Sequence, residues 1–198
     1  FHDYDLARLT DARGPVRQRE AADLERLRLA ETNETIPTLP AILDLVAGRA
    51  PLLIELKDQH GQMGETDGTL EAATAAALAS YEGPVAVMSF NPRMMIAMAA
   101  RAPQVARGLV TCAFTATDWP LLCETTRAEL RRVADYGAAR AAFISHDIRD
   151  LANPRVADLR AEGAAILCWT VRAPAAEAMA RRVADTITFE GYLPEIPA

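Results

Sequence analysis

No run of eighteen apolar residues occurs in the sequence, which leaves no candidate for a membrane-spanning helix. Gly-x-Gly-x-x-Gly and Gly-Lys-Ser/Thr loops are also absent, so the common backbone cradles for nucleotide phosphates are missing. Positive charge is not in excess. The net charge is −6, and a nucleic-acid partner would want a basic face. That balance leaves a phosphate substrate open, because a metal and a few local cations can dominate one site. Cysteine is scarce. Cys112, Cys123 and Cys168 are odd in number and lack the close pairing of a zinc site. They read as reduced core thiols and favour a cytoplasmic setting. No secretory signal is visible, but the sequence opens at Phe1 inside a motif. It is therefore read as a segment of a longer protein whose targeting information could lie elsewhere.

What is present fits a single globular domain over residues 1–198. Hydrophobic residues make up 51% of the chain, and the mean hydropathy is close to zero at +0.01. A chain of this length can bury a large core. The stretch around which it is organised is Pro51-Leu52-Leu53-Ile54-Glu55-Leu56-Lys57. Its apolar run, bounded by turn residues, reads as a strand buried on both faces. A carboxylate and an ammonium sit at its exit. Ligands of parallel α/β folds bind at the C-terminal strand ends, so Glu55 and Lys57 are candidates to face one. An ion pair that only caps the strand is the alternative.

Beyond this strand the chain alternates. Strands are expected at Leu52–Leu56, Val85–Met88, Arg107–Val110, Ala142–Ser145, Ala164–Trp169 and Thr186–Phe189. Helices follow the first five, over Gly68–Ser80, Pro92–Ala102, Trp119–Tyr136, Asn153–Glu162 and Ala173–Val183. Two of them open with Asn-Pro, the N-cap and first-turn chemistry of a helix. Upstream, residues 1–20 read as a strand end and a polar excursion. Ala21–Leu29 and Leu39–Val46 read as helices, the second ended at Gly48. Regular alternation predicts a parallel sheet with helical crossovers, the α/β class. An eight-stranded TIM (β/α)8 barrel would be two strands longer.

Several short motifs then fall in one order. They are His2-Asp3, Leu6-x-Arg8-x-Thr10, Ile36-Pro37-Thr38-Leu39, Ile54-Glu55-Leu56-Lys57, Ser89-Phe90-Asn91-Pro92 and Trp169-Thr170-Val171. An Asp185…Pro194 segment follows them. Together they resemble the glycerophosphodiester phosphodiesterase family over nearly the whole chain. The resemblance implies a TIM barrel whose first two strands lie upstream. It also implies metal-dependent hydrolysis of glycerophosphodiesters to glycerol phosphate and an alcohol.

The family's mechanism, as the resemblance implies it, uses two histidines and a divalent metal, Mg²⁺ or Ca²⁺, held by three carboxylates. The first histidine belongs to a His-Arg motif, and two metal carboxylates to a Glu-x-Asp at a strand end. Neither motif is read in this sequence. The second histidine maps to His2, the expected general acid, and the third carboxylate to Glu55, an expected metal ligand. Lys57 is the expected phosphate contact, and Phe90 and Trp169 line the substrate pocket; core packing is the alternative for both rings. Asp3 either orients its loop or stands in the metal's outer shell. Arg172 and Thr188-Phe189-Glu190-Gly191 depart from the family pattern and bear on specificity. His146-Asp147 repeats the His-Asp dipeptide at another strand end, where a pocket rim is the most it could form. A small-molecule phosphodiester is the expected partner, with no nucleic acid. The rival reading is a non-catalytic, barrel-derived binding protein. The 198 residues alone are expected neither to bind metal well nor to turn over.

Overall fold

In a computed structural model, described over residues 1–194, six parallel strands form one sheet in the sequential order β1 to β6. They are β1 (Leu52–Glu55), β2 (Val85–Ser89), β3 (Ala106–Thr111), β4 (Phe143–Asp147), β5 (Ala165–Val171) and β6 (Thr186–Phe189). Sequential parallel order is the arrangement that neighbouring strands take round a (β/α)8 barrel, and the described residues hold six such strands. The crossovers carry α3 (Thr69–Leu78), α4 (Pro92–Arg101), α5 (Glu124–Arg131), α6 (Pro154–Ala161) and α7 (Pro174–Ala180).

The chain divides into two compact units. One comprises residues 1–52 and 73–84, the other residues 53–72 and 85–198. The second unit holds most of the sheet. Its core is aliphatic and methionine-rich, with Val87, Met94, Met95, Met98, Ile144, Leu159, Ile166 and Val171 wholly buried. Register fixes close packing there. Gly108 pairs with Phe143, and a Cβ on Gly108 would stand 2.2 Å from the Phe143 ring, so only glycine fits beneath it.

Helix starts follow local chemistry. The Asn91 and Asn153 side chains accept from the N–H groups of Arg93 and Arg155, and a proline follows each in the first turn.

The first unit departs most from expectation. Residues 1–20 contain no strand; they carry short 3₁₀ turns at Leu6–Arg8 and Val16–Gln18 and single antiparallel bridges, Asp5 to Pro15 and Thr10 to Leu29. Helix α1 covers only Ala21–Leu24, because Leu29 turns to bond Glu34 instead of continuing the helix. Helix α2 (Leu39–Val46) lies as expected but is closed by Ala47 in the left-handed region, one residue before Gly48.

In the second unit, α5 is far shorter than the expected Trp119–Tyr136. Pro120 interrupts the pattern, and Trp119 stays in the loop before the helix. Cys112 and Cys168 are buried and free, as core thiols should be, and burial pushes each up to about 11. Cys123 is exposed and serves as the N-cap residue of α5, contrary to the expectation of a core position.

Candidate active site

The C-terminal end of β1 and the loop after it are tied to the exit of β2. The Leu56 N–H donates to the Met88 carbonyl at 2.8 Å, and the Ser89 hydroxyl donates to the Leu56 carbonyl at 2.7 Å. Asn91, wholly buried, then holds the loop. Its Nδ2 donates to Asp58 Oδ1 at 2.7 Å and to the Gly64 carbonyl at 2.9 Å, while its Oδ1 accepts from Arg93 N–H. The motif Ser89-Phe90-Asn91-Pro92 thus acquires a physical reason: Ser89 and Asn91 clamp the segment that carries Lys57. Asn91→Ala should lose the helix cap, about 0.5–2 kcal/mol, and leave the buried Asp58 carboxylate short of a donor, about 1–3 kcal/mol more. Urea unfolding with an unchanged m-value should show the loss; a wild-type midpoint would contradict this account of the clamp.

Glu55 and Lys57 stand two residues apart on extended chain, hence on one face. Lys57 Nζ lies 2.9 Å from Glu55 Oε2, and both side chains are about a quarter exposed. The other oxygen, Glu55 Oε1, is buried and has no hydrogen-bond partner among the described residues. Lys57 is the only lysine in the 198 residues; every other fixed cation is arginine.

The residue that follows β2, Phe90, belongs to an aromatic cluster. The Phe90 ring centroid is 5.5 Å from that of Trp169, 5.1 Å from Trp119 and 6.3 Å from Phe114. Phe114 is fully buried, with Met63, Cys112 and Leu122 around it, whereas Phe90, Trp119 and Trp169 are half-buried. The Trp169 indole N–H donates to the Ser145 carbonyl at 3.0 Å, which fixes the ring against β4. Trp169 lies within β5, which runs two residues further than expected. Trp119 was not among the residues read from the sequence as site candidates. Trp119-Pro120 was its signal, since a proline there favours loop over helix.

His146 does not line a rim. It is buried, with Nδ1 2.7 Å from Thr111 Oγ1 and Nε2 3.2 Å from both the Asp150 carbonyl and its Oδ2. Burial pushes its pKa down, so it stays neutral and structural. The adjacent Asp147 instead grips Arg149, with Nη2 to Oδ2 at 2.6 Å and Nε to the same oxygen at 3.0 Å.

One Glu-x-Asp does occur, Glu65-Thr66-Asp67, but in the loop after β1 and not at a strand end. Its glutamate is exposed and pairs with Arg93 at 3.5 Å, and Asp67 caps the Thr69 N–H. Among the described residues no three His, Cys, Asp or Glu side chains converge on a metal-sized site.

His2 and Asp3 belong to the first unit. His2 Nδ1 is 2.7 Å from Asp3 Oδ1, and the imidazole is 71% exposed. The structure therefore joins Glu55 with Lys57, Phe90 with Trp169, and His2 with Asp3.

Parallel strands in sequential order with helical crossovers define the α/β-barrel class of protein. Within that class, the chain matches the profile of the glycerophosphoryl diester phosphodiesterase family over residues 1–187, and it belongs to that family of phosphoric diester hydrolases. Solved structures agree in fold. An Oleispira antarctica phosphodiesterase, captured with its product sn-glycerol-3-phosphate, is 23% identical with a TM-score of 0.74; the match covers 96% of this chain and 74% of that one. A glycerophosphodiester phosphodiesterase from Agrobacterium tumefaciens is 20% identical, TM-score 0.66, covering 96% and 76%. One from Parabacteroides distasonis is 18% identical, TM-score 0.67, covering 96% and 72%. No curated protein sequence matches the chain.

Proposed function

We propose that this protein hydrolyses small glycerophosphodiesters to glycerol phosphate and an alcohol, with His2 as general acid and Glu55 as a metal ligand. The observation that carries the reading is the buried Glu55 oxygen without a partner, beside an oxygen paired to the only lysine. A buried carboxylate oxygen left unsatisfied is costly unless something else binds it. Mg²⁺ and Ca²⁺ both take carboxylate oxygens, so Glu55 fits as one ligand of several. Bound there, such a cation would neutralise phosphodiester charge and make phosphorus easier to attack.

The chain's own residues supply the rest. Lys57, held by Glu55, presents a compact positive charge for a phosphoryl oxygen. Phe90 and Trp169 offer apolar ring surface to the carbon skeleton and keep water away from it. His2 donates its proton to the departing alkoxide, which is too basic to leave unprotonated. Three unpaired thiols support a cytoplasmic setting.

The test uses the enzyme expressed from its complete reading frame, stripped with EDTA and given glycerophosphocholine. Release of sn-glycerol-3-phosphate should be lost on stripping and return with Mg²⁺ or Ca²⁺. No release with either cation would favour a barrel that binds without turnover.

A further inference from the structure

We infer that Arg8 is a positioning residue for the general acid: by gripping Asp3 it sets the ring orientation and tautomer of His2. The inference rests on the reading of His2 as the acid. Arg8 Nε donates to Asp3 Oδ2 at 2.5 Å and Nη2 to Oδ1 at 2.6 Å, a two-pronged fork that occupies both carboxylate oxygens. His2 Nδ1 shares Oδ1 at 2.7 Å. The Arg8 fork, helped by His2, holds the Asp3 carboxyl far below the usual carboxylate range. An ionised carboxylate can only accept, so Nδ1 must carry the hydrogen in that contact. The proton that His2 gives and takes is then the one on Nε2, which has no protein partner among the described residues.

The local chain is built to return Arg8 to Asp3. Leu6 is wholly buried, its N–H donates to the Gly14 carbonyl, and its carbonyl accepts from both the N–H and the hydroxyl of Thr10. Asp5 caps the Ala7 N–H and starts a single 3₁₀ turn, Leu6–Arg8, which carries the guanidinium back five residues. The pattern Leu6-x-Arg8-x-Thr10 is thus one device: an apolar anchor, a fork, and a hydroxyl that ties the turn. An ion pair as exposed as this one, with the Arg8 side chain 61% open to solvent, contributes little to stability. Its effect should therefore appear in the proton transfer and not in folding.

Two substrates separate the roles. A choline diester needs its leaving alkoxide protonated; a p-nitrophenyl diester leaves as a stabilised anion and does not. In the enzyme from the complete reading frame, Arg8→Ala should lower kcat on glycerophosphocholine by about 10–10²-fold, the scale of a small misplacement of a catalytic group. KM should stay within about twofold, the p-nitrophenyl diester should be nearly unaffected, and the melting temperature should hold. Arg8→Lys, which keeps the charge but loses the fork, should recover only part of the rate. ¹⁵N shifts of the His2 ring should show one neutral tautomer in the wild type and a mixture in Arg8→Ala. Equal losses on both substrates, no loss on the choline diester, or an unchanged tautomer in Arg8→Ala would overturn the inference while leaving His2 as the acid. If His2→Ala itself keeps full activity on the choline diester, the reading beneath it fails as well.

Discussion

His2→Ala should lower kcat on an alkyl-alcohol diester by about 10²–10⁴-fold, the range for loss of a general acid, while KM moves little. The proton is needed in the transition state and not for substrate binding, so the loss belongs in kcat. The ring is mostly solvent-exposed and its Nδ1 is engaged by Asp3, so the substitution should leave the fold intact. Steady-state kinetics of the complete enzyme on glycerophosphocholine and on a p-nitrophenyl diester check this. A large loss on the first and a small one on the second is the expected pair of results; near-normal kcat on the choline diester would remove His2 from the mechanism.

Glu55→Gln should cut apparent metal affinity by at least the ~10–100-fold that even outer-shell changes cost at metal sites. Glutamine keeps the volume but loses the charge, and its amide can aim a hydrogen at the place where the unsatisfied oxygen stood. Stability without metal should change little, because the Lys57 pair is partly exposed and weak. Calorimetric titration of the stripped enzyme with Mg²⁺ or Ca²⁺ reads the affinity, and the metal-induced rise in melting temperature should shrink in parallel. Unchanged affinity would mean that the Glu55 oxygen serves only the strand end.

Much of this protein is written in short-range pattern. Short apolar runs closed by glycine, proline and charge marked all six strands to within a few residues, although β1 and β6 are not buried on both faces: Leu53 is 40% exposed and only Ile187 of β6 is even half-buried. Asn91-Pro92 and Asn153-Pro154 marked two helix starts, because capping is satisfied within three residues of the cap. Glu55 and Lys57 were legible for the same reason: charge at the exit of an apolar run is locally conspicuous.

What the sequence left open depends on partners far apart in the chain. Asp58 and Asn91 lie thirty-three residues apart, and so do Ser89 and Leu56. Only the pairing of β1 with β2 brings them into contact. His146 reads like a site residue until the parallel register of β3 and β4 sets it opposite Thr111, where burial holds it neutral. Trp119 reads like the start of a helix until Phe90 and Phe114 hold it in a loop. Residues 1–38 form single bridges between distant segments in place of ladders, so no periodicity announces them. Periodicity and capping are local energies, and one chain can show them by itself. Which carboxylate meets which cation, and which histidine stays in water, is decided by sheet register and turn closure.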